Sequence, residues 1–237
     1  AVFARKGIAV MRKSTNHTDI LSEYISFEGM TVIDVGCGNG DFVRWLAGLG
    51  AEAAGVDTAE MISRAMKNKP AGNEKYLEGS AEDLPFENAR ADIMMYMASF
   101  HHVPADRMGD AMDCCRRNLK AGGKAVFIEP VGRKGSYYEV VRLVEDEKAM
   151  HAAARKAIYG AIESGFRSEA EETYYIERSF SDYENLAAFF VDDAGRRKET
   201  LSAARAVTQR LAAEAGVDFD DFRYKSICRM NILERIK

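Results

Sequence analysis

Two hydrophobic periods alternate along the first half of the chain. Short apolar runs, Val32-Ile33-x-Val35, Ala51 to Val56, Tyr76-Leu77 and Ile93 to Met97, have the length and β-branched character of buried strands. Between them apolar residues return every three or four positions. Phe42, Val43, Leu46 and Leu49 follow the first run, and Met108, Ala111, Met112 and Cys115 follow the fourth. A fifth run, Lys124 to Glu129, closes at Pro130 after a helix stop at Gly122-Gly123. Strand and helix in alternation predict five parallel strands covered by helices on both faces, an α/β fold. A capped helix is expected over about Asn16 to Ile25, and Glu28-Gly29 reads as the turn into the first strand.

The second half changes character. Tyr137, Val141, Val144, Ile158 and Ile162 share compatible faces of one long helix or two, from Ser136 to about Ser164. This is longer than one crossover needs, so residues 132–170 are expected to form a helical cap insertion over the substrate side. The insertion lies within a single domain spanning 1–237. Gly165 to Ala170 reads as a loop and Glu172 to Phe180 as a strand. A helix capped by Ser181 runs through Val191, and Asp192 to Arg197 is a charged turn. A helix marked by Leu201, Ala204, Thr208, Leu211 and Ala215 stops at Gly216, and the last strand lies between Asp218 and Ile236. Residues 1–14 are basic and aperiodic, a solvated arm or a segment that closes over a ligand.

Composition narrows the classes. Of 237 residues 47% are hydrophobic and 30% charged, enough for a sizeable core. The net charge of −4, with acids and bases mixed, offers no basic stripe for a nucleic-acid backbone. No apolar run reaches the ~18–20 residues of a membrane span, and Ala-Val-Phe-Ala-Arg-Lys has no signal-peptide core. Cys37, Cys114, Cys115 and Cys228 lack metal-ligand spacing, and His17, His101, His102 and His151 form no metal pattern with them. A reduced, cytoplasmic protein without a metal is expected.

The chemistry centres on Gly36-x-Gly38-x-Gly40, set between the first strand and its helix. Glycines there let the backbone turn sharply and lie bare against a ligand. A dinucleotide fingerprint would place its third glycine at position 41, which is Asp41, and an acid in that first helical turn repels a pyrophosphate. The loop suits a ligand with little negative charge better than NAD. Asp57 ends the second strand at about the ~20-residue distance typical of a ribose-binding carboxylate. The alternative for Asp57 is a helix cap. Met61 is either a thioether lying over a purine or plain core.

Val32 to Gly40, Val-Ile-Asp-Val-Gly-Cys-Gly-Asn-Gly, resembles motif I of class I S-adenosylmethionine (SAM)-dependent methyltransferases, and most closely the type 11 small-molecule group. The resemblance extends over about residues 28 to 130. It implies a Rossmann-like, seven-stranded, mostly parallel sheet with the last strand antiparallel. It also implies S-adenosyl-L-methionine as cofactor and S-adenosyl-L-homocysteine as product. The positions that match are Asp34, Gly36, Cys37, Gly38 and Gly40 on the loop and Asp57, Thr58 and Met61 beyond the second strand. Ser80, Ala81 and Glu82 match the acidic loop that reads adenine, and Met97 lies at the end of the fourth strand. Asp92 and the strand it opens match the motif IV region, and adjacent histidines such as His101-His102 recur in the family.

A sulfonium methyl needs little beyond an aligned nucleophile and exclusion of water. A base is required only where the acceptor carries a proton. His102 is the foremost base candidate, since histidine titrates near neutrality, with a loop-anchoring role as the alternative. Glu129 is expected as a loop anchor or a site acid. Three functions remain open: a small-molecule methyltransferase, a non-catalytic SAM- or nucleotide-binding module, and an NAD-type oxidoreductase disfavoured by Asp41.

Overall fold

The structure is a computed structural model that describes residues 11–86, 88–131, 136–142, 144, 146–190, 194–215 and 223–236. The chain divides into two compact units. One comprises residues 22–133, 146–172 and 229–237, the other residues 1–21, 134–145 and 173–228.

The larger unit carries the alternation legible in the sequence. Its elements are β2 (Thr31–Val35), α2 (Asp41–Gly48), β3 (Glu52–Asp57), α3 (Ala59–Ala65), β4 (Lys75–Glu78), β5 (Ala91–Met97), a 3-10 turn (Phe100–His102), α4 (Met108–Asn118), β6 (Leu119–Pro130) and α6 (Lys148–Ala161). Parts of two longer strands, β7 (Phe166–Ser179) and β8 (Arg223–Arg235), complete it. The strand order is β7-β8-β6-β5-β2-β3-β4. The pairs β6/β5, β5/β2, β2/β3 and β3/β4 are parallel, the five parallel strands expected. Strand β8 runs against β7, because Arg167 pairs with Glu234 while Glu171, four residues on, meets Asn231.

β5 lies between β2 and β6 and is buried on both faces, which is why it reads as an unbroken apolar run. Tyr96 stacks on Phe127 with ring centroids 4.7 Å apart and meets Phe100 edge-on at 5.3 Å. Asp92, at the opposite end of β5 from the glycine loop, accepts the Thr31 amide at 2.9 Å and pairs with Lys120 at 2.8 Å. It staples three strand ends together.

The smaller unit holds β1 (Arg12–Ser14), the second half of β7, α5 (Ser136–Val141), α7 (Tyr183–Phe190), α8 (Ala194–Ala215) and the first half of β8. α5 and α7 pack on α8 around buried Val140, Leu186, Ala204 and Tyr224. Helix α1 (His17–Tyr24) is capped by Asn16, whose side-chain oxygen accepts the Asp19 amide at 2.8 Å.

Several expectations are corrected. The strand count is eight, not seven: β1 pairs in parallel with β7, Arg12 opposite Tyr174 and Lys13 in an ion pair with Glu177 at 2.5 Å. Three residues are too few to show a period, so this strand was invisible in a segment read as an arm. Residues 1–10 lie outside the described residues. The helix expected over about Ala105 to Asn118 does end at Asn118, starting at Met108, but the glycines at 122–123 read as its stop lie inside β6, where the register steps from Ala91/Leu119 to Ile93/Lys124. Residues 166–170 are strand, not loop. Asp182, not Ser181, caps α7 by accepting the Asn185 amide at 2.7 Å. α8 begins inside the expected charged turn. Of the one long helix or two expected from Ser136 to about Ser164, the structure has two, α5 in one unit and α6 in the other. α6 contributes Ala154, Ile158 and Ala161 to the main core. The Gly-Arg-Lys-Gly opening of the expected cap, 132–135, lies outside the described residues, as do Asp192, Gly216 and Asp218.

Candidate functional site

In an open α/β sheet, ligands lie beyond the carboxyl ends of the strands where the connections change direction. Here that crevice falls between β2 and β5. The glycine loop leaves β2 and turns back on β3. Gly36 and Cys37 donate their amides to the Val56 carbonyl at 2.8 and 3.2 Å, and Gly38 donates to Asp57 Oδ2 at 2.8 Å. Gly40 donates to the Cys37 carbonyl at 2.9 Å. These four amides are satisfied within the fold, so what the loop offers a ligand is bare main chain.

All three glycines have positive φ, 76°, 54° and 75°. A Cβ on Gly36 would come within 2.4 Å of Ser99 Cβ, and one on Gly40 within 2.6 Å of the Tyr76 ring. At Gly38 the nearest neighbour would be Met61 Cε at 3.9 Å, leaving that position open. Ser99 is brought under the loop by Ala98, a non-glycine residue at φ 52°, and its hydroxyl donates to the Val35 carbonyl at 2.6 Å. Tyr76 donates to the Gly40 carbonyl at 3.3 Å, and Arg44 donates to Tyr76 and to the Asn39 carbonyl.

Asp57 is fixed on both oxygens. Oδ2 takes the Gly38 amide and Oδ1 the Thr58 amide at 2.7 Å. The helix cap is Thr58, whose hydroxyl faces the Met61 amide at 3.5 Å. Each Asp57 oxygen keeps a further acceptor direction. Gly79 donates to the Asp57 carbonyl at 3.1 Å, which sets the following turn beside it. Ser80 and Asp83 close that turn on each other's backbones, with Ala81 buried and Glu82 half-buried between them. Met97 is half-buried at the end of β5.

Asp34 and Cys37 sit beneath the loop. Burial, then the charge of Asp57, raises the Asp34 carboxyl from 3.8 to about 7, and its Oδ1 has no hydrogen-bond partner. Burial, then Asp34 and Asp57, pushes the Cys37 thiol up to about 12, so it packs as an inert group against Gly55. A raised acid pKa favours the protonated folded state. Asp34 therefore contributes stability that is complete below about pH 3.8 and is lost as pH rises through about 7. Asp34→Asn should lose this slope and gain on the parent toward high pH. Denaturant unfolding of both proteins from pH 4 to 8 checks it; a constant difference would remove Asp34 as the source.

Asp41 pairs with Arg44 on the first turn of α2. This partly cancels the repulsion expected for a pyrophosphate, so the case against a dinucleotide rests on the glycine spacing.

The two adjacent histidines separate in role. His102 is exposed, whereas His101 is buried with Nδ1 2.5 Å from Glu129 Oε2. The other Glu129 oxygen accepts the Phe100 amide at 3.0 Å, so Glu129 is the loop anchor. His151, on α6, lies against His101 with centroids 4.5 Å apart, and Glu147 approaches both. Sequence reasoning missed Ser99, Tyr76, Glu147 and His151 as members of this edge. The Glu147/His151 spacing of one helical turn was the legible signal for the last two.

Residues 33–127 match the family described as methyltransferase domain. A ubiquinone biosynthesis O-methyltransferase of Roseobacter denitrificans is 32% identical over 103 residues, 42% of this chain and 41% of that protein. An uncharacterized methyltransferase of a Geobacillus species is 25% identical over 141 residues, 59% of this chain and 65% of that one. The chain thus spans less than two thirds of these relatives. A Bacillus halodurans structure assigned as a methyltransferase superposes with TM-score 0.67 at 15% identity, covering 93% of this chain and 98% of that one. Strand order and glycine loop agree with this match: residues 33–127 are similar to the methyltransferase domain family, and the fold is the one seen in the Bacillus halodurans structure.

Proposed function

We propose that the chain binds S-adenosyl-L-methionine in the β2/β5 crevice and transfers its methyl group to a small-molecule acceptor, releasing S-adenosyl-L-homocysteine. The observation that carries this is Asp57, a carboxylate oriented on both oxygens by the Gly38 and Thr58 amides beside the open position at Gly38. The family generally uses this cofactor, and the residues fit it. Gly36, Gly38 and Gly40 provide close backbone approach, and Asp57 has acceptor capacity left for two vicinal hydroxyls. Met61 presents a thioether beside Gly38, and the Ser80-Ala81-Glu82 turn supplies an amide and a carboxylate for adenine. Thr58 and Cys37 hold the turns in shape, while Asp34 and Met97 line the strand ends.

Bound there, the cofactor would supply an electrophilic sulfonium methyl for an acceptor lone pair, with sulfur as the leaving group. The protein's part is to orient and to exclude water. His102, exposed just past β5, is the group to take a proton from a protic acceptor, because the Nδ1 of His101 is already engaged by Glu129. A cytoplasmic setting and a diffusible acceptor are part of this proposal; the four cysteines are buried thiols, and among the described residues no helix is long and apolar enough to cross a membrane.

Asp57→Ala should weaken SAM binding by about 1–3 kcal/mol, the scale of lost charge-assisted hydrogen bonds. Calorimetry reads this directly, and unchanged affinity would take Asp57 out of the site. An acceptor screen that reads S-adenosylhomocysteine release tests turnover. Tight SAM binding with no release across phenols, amines, thiols and carbon acids would favour a non-catalytic binding module.

A further inference from the structure

The histidine cluster at the carboxyl ends of β5 and β6 is more elaborate than loop anchoring requires. His101 is 3% exposed and presents Nδ1 to Glu129 at 2.5 Å. A ring that donates from Nδ1 to a carboxylate keeps its Nε2 lone pair directed the other way. In that direction stands Glu147, its Oε2 4.0 Å from His101 Nε2 and 3.6 Å from His151 Nε2. His151 is 9% exposed, and neither of its ring nitrogens has a hydrogen-bond partner. A buried imidazole with both nitrogens unsatisfied calls for an explanation, because each costs desolvation energy with nothing in return. One ligand atom from each of His101, Glu147 and His151 lies within 4.8 Å of the other two.

We propose that His101, Glu147 and His151 form a site for a divalent first-row transition cation. Two imidazole nitrogens and one carboxylate suit zinc, iron(II), cobalt or manganese, not calcium or magnesium. Glu129 is the outer carboxylate that fixes the tautomer of the ligating His101, the arrangement that metal-bound histidines usually show. Metal–ligand bonds of about 2.0–2.2 Å require ligand atoms closer together than this spread. A bound cation would draw in both the His151 ring, whose nitrogens no hydrogen bond holds, and the Glu147 carboxylate. Glu147 and His151 stand one turn apart at the start of α6, so a single helix face delivers both. Three protein ligands leave at least one coordination position open, as in sites that bind a substrate oxygen. The sequence expectation of no metal weighed His101 and His151 only together with the cysteines; this site pairs them with Glu147 instead, which only the fold brings near His101.

The test is calorimetric titration of the chelator-treated full chain with zinc chloride, paired with visible absorption after cobalt(II) addition. One equivalent of zinc should bind saturably, and cobalt should give an intense band of low-symmetry coordination. Glu147→Gln keeps the shape of the side chain and should weaken zinc binding at least about tenfold. His151→Ala should do the same, while Glu163→Gln, an exposed acid beyond the end of α6, should bind as the parent does. No saturable binding to the parent would overturn the site, and so would equal binding to Glu147→Gln and the parent. Neither result bears on SAM binding, which is measured separately.

Discussion

Gly36→Ala is expected to destabilise the protein by about 2–5 kcal/mol. Two separate costs combine. The residue sits at φ 76°, a left-handed conformation that costs an L-residue roughly 1–2 kcal/mol. The new methyl would also stand 2.4 Å from Ser99 Cβ, and relieving such overpacking costs roughly 1–3 kcal/mol. Ser99 cannot simply rotate away, because the collision is with its Cβ and its hydroxyl is bonded to the Val35 carbonyl. Combining Gly36→Ala with Ser99→Gly should recover the collision and leave the backbone cost. Chemical denaturation of the four proteins in this cycle measures the coupling, expected at about 1–3 kcal/mol. An unchanged unfolding midpoint in Gly36→Ala would show that the loop is not shaped as described.

Glu129→Ala should cost about 2–6 kcal/mol and loosen the segment that follows β5. The carboxylate is 2% exposed and satisfies two buried donors, the Phe100 amide and His101 Nδ1. Removing it orphans both, at roughly 1–3 kcal/mol each. Glu129→Gln keeps one acceptor oxygen and should lose less. Hydrogen exchange at Phe100 and thermal unfolding of both variants would check this. Equal protection at that amide in parent and Glu129→Ala would sink the anchoring role.

These two residues show what a single sequence carries. Gly36 was legible because a strand-to-helix turn demands special backbone angles, and that demand is local. Its collision partner was not, since Ser99 reaches it only through the pairing of β5 with β2 and the backbone kink at Ala98. The five parallel strands were legible from the alternation of strand and helix, since each carries its own short apolar run, even β4 at the sheet edge with Tyr76 and Leu77 only half-buried. β1 was not, because its three residues owe their strand conformation to β7. Asp57 was legible as an acid at a strand end, but only the fold decides between helix cap and loop partner, and Thr58 takes the cap. The histidine cluster was half legible: adjacent His101 and His102 stood out, while burial separated their roles and brought in His151 from α6.

The central claim, that the β2/β5 crevice is built for a SAM-type ligand and not a dinucleotide, is tested most directly by calorimetric titration of the unaltered chain. S-adenosylhomocysteine and NAD would be titrated under identical conditions. The account expects saturable one-to-one binding of S-adenosylhomocysteine and no measurable heat with NAD. Saturable binding of NAD with none of S-adenosylhomocysteine would contradict it.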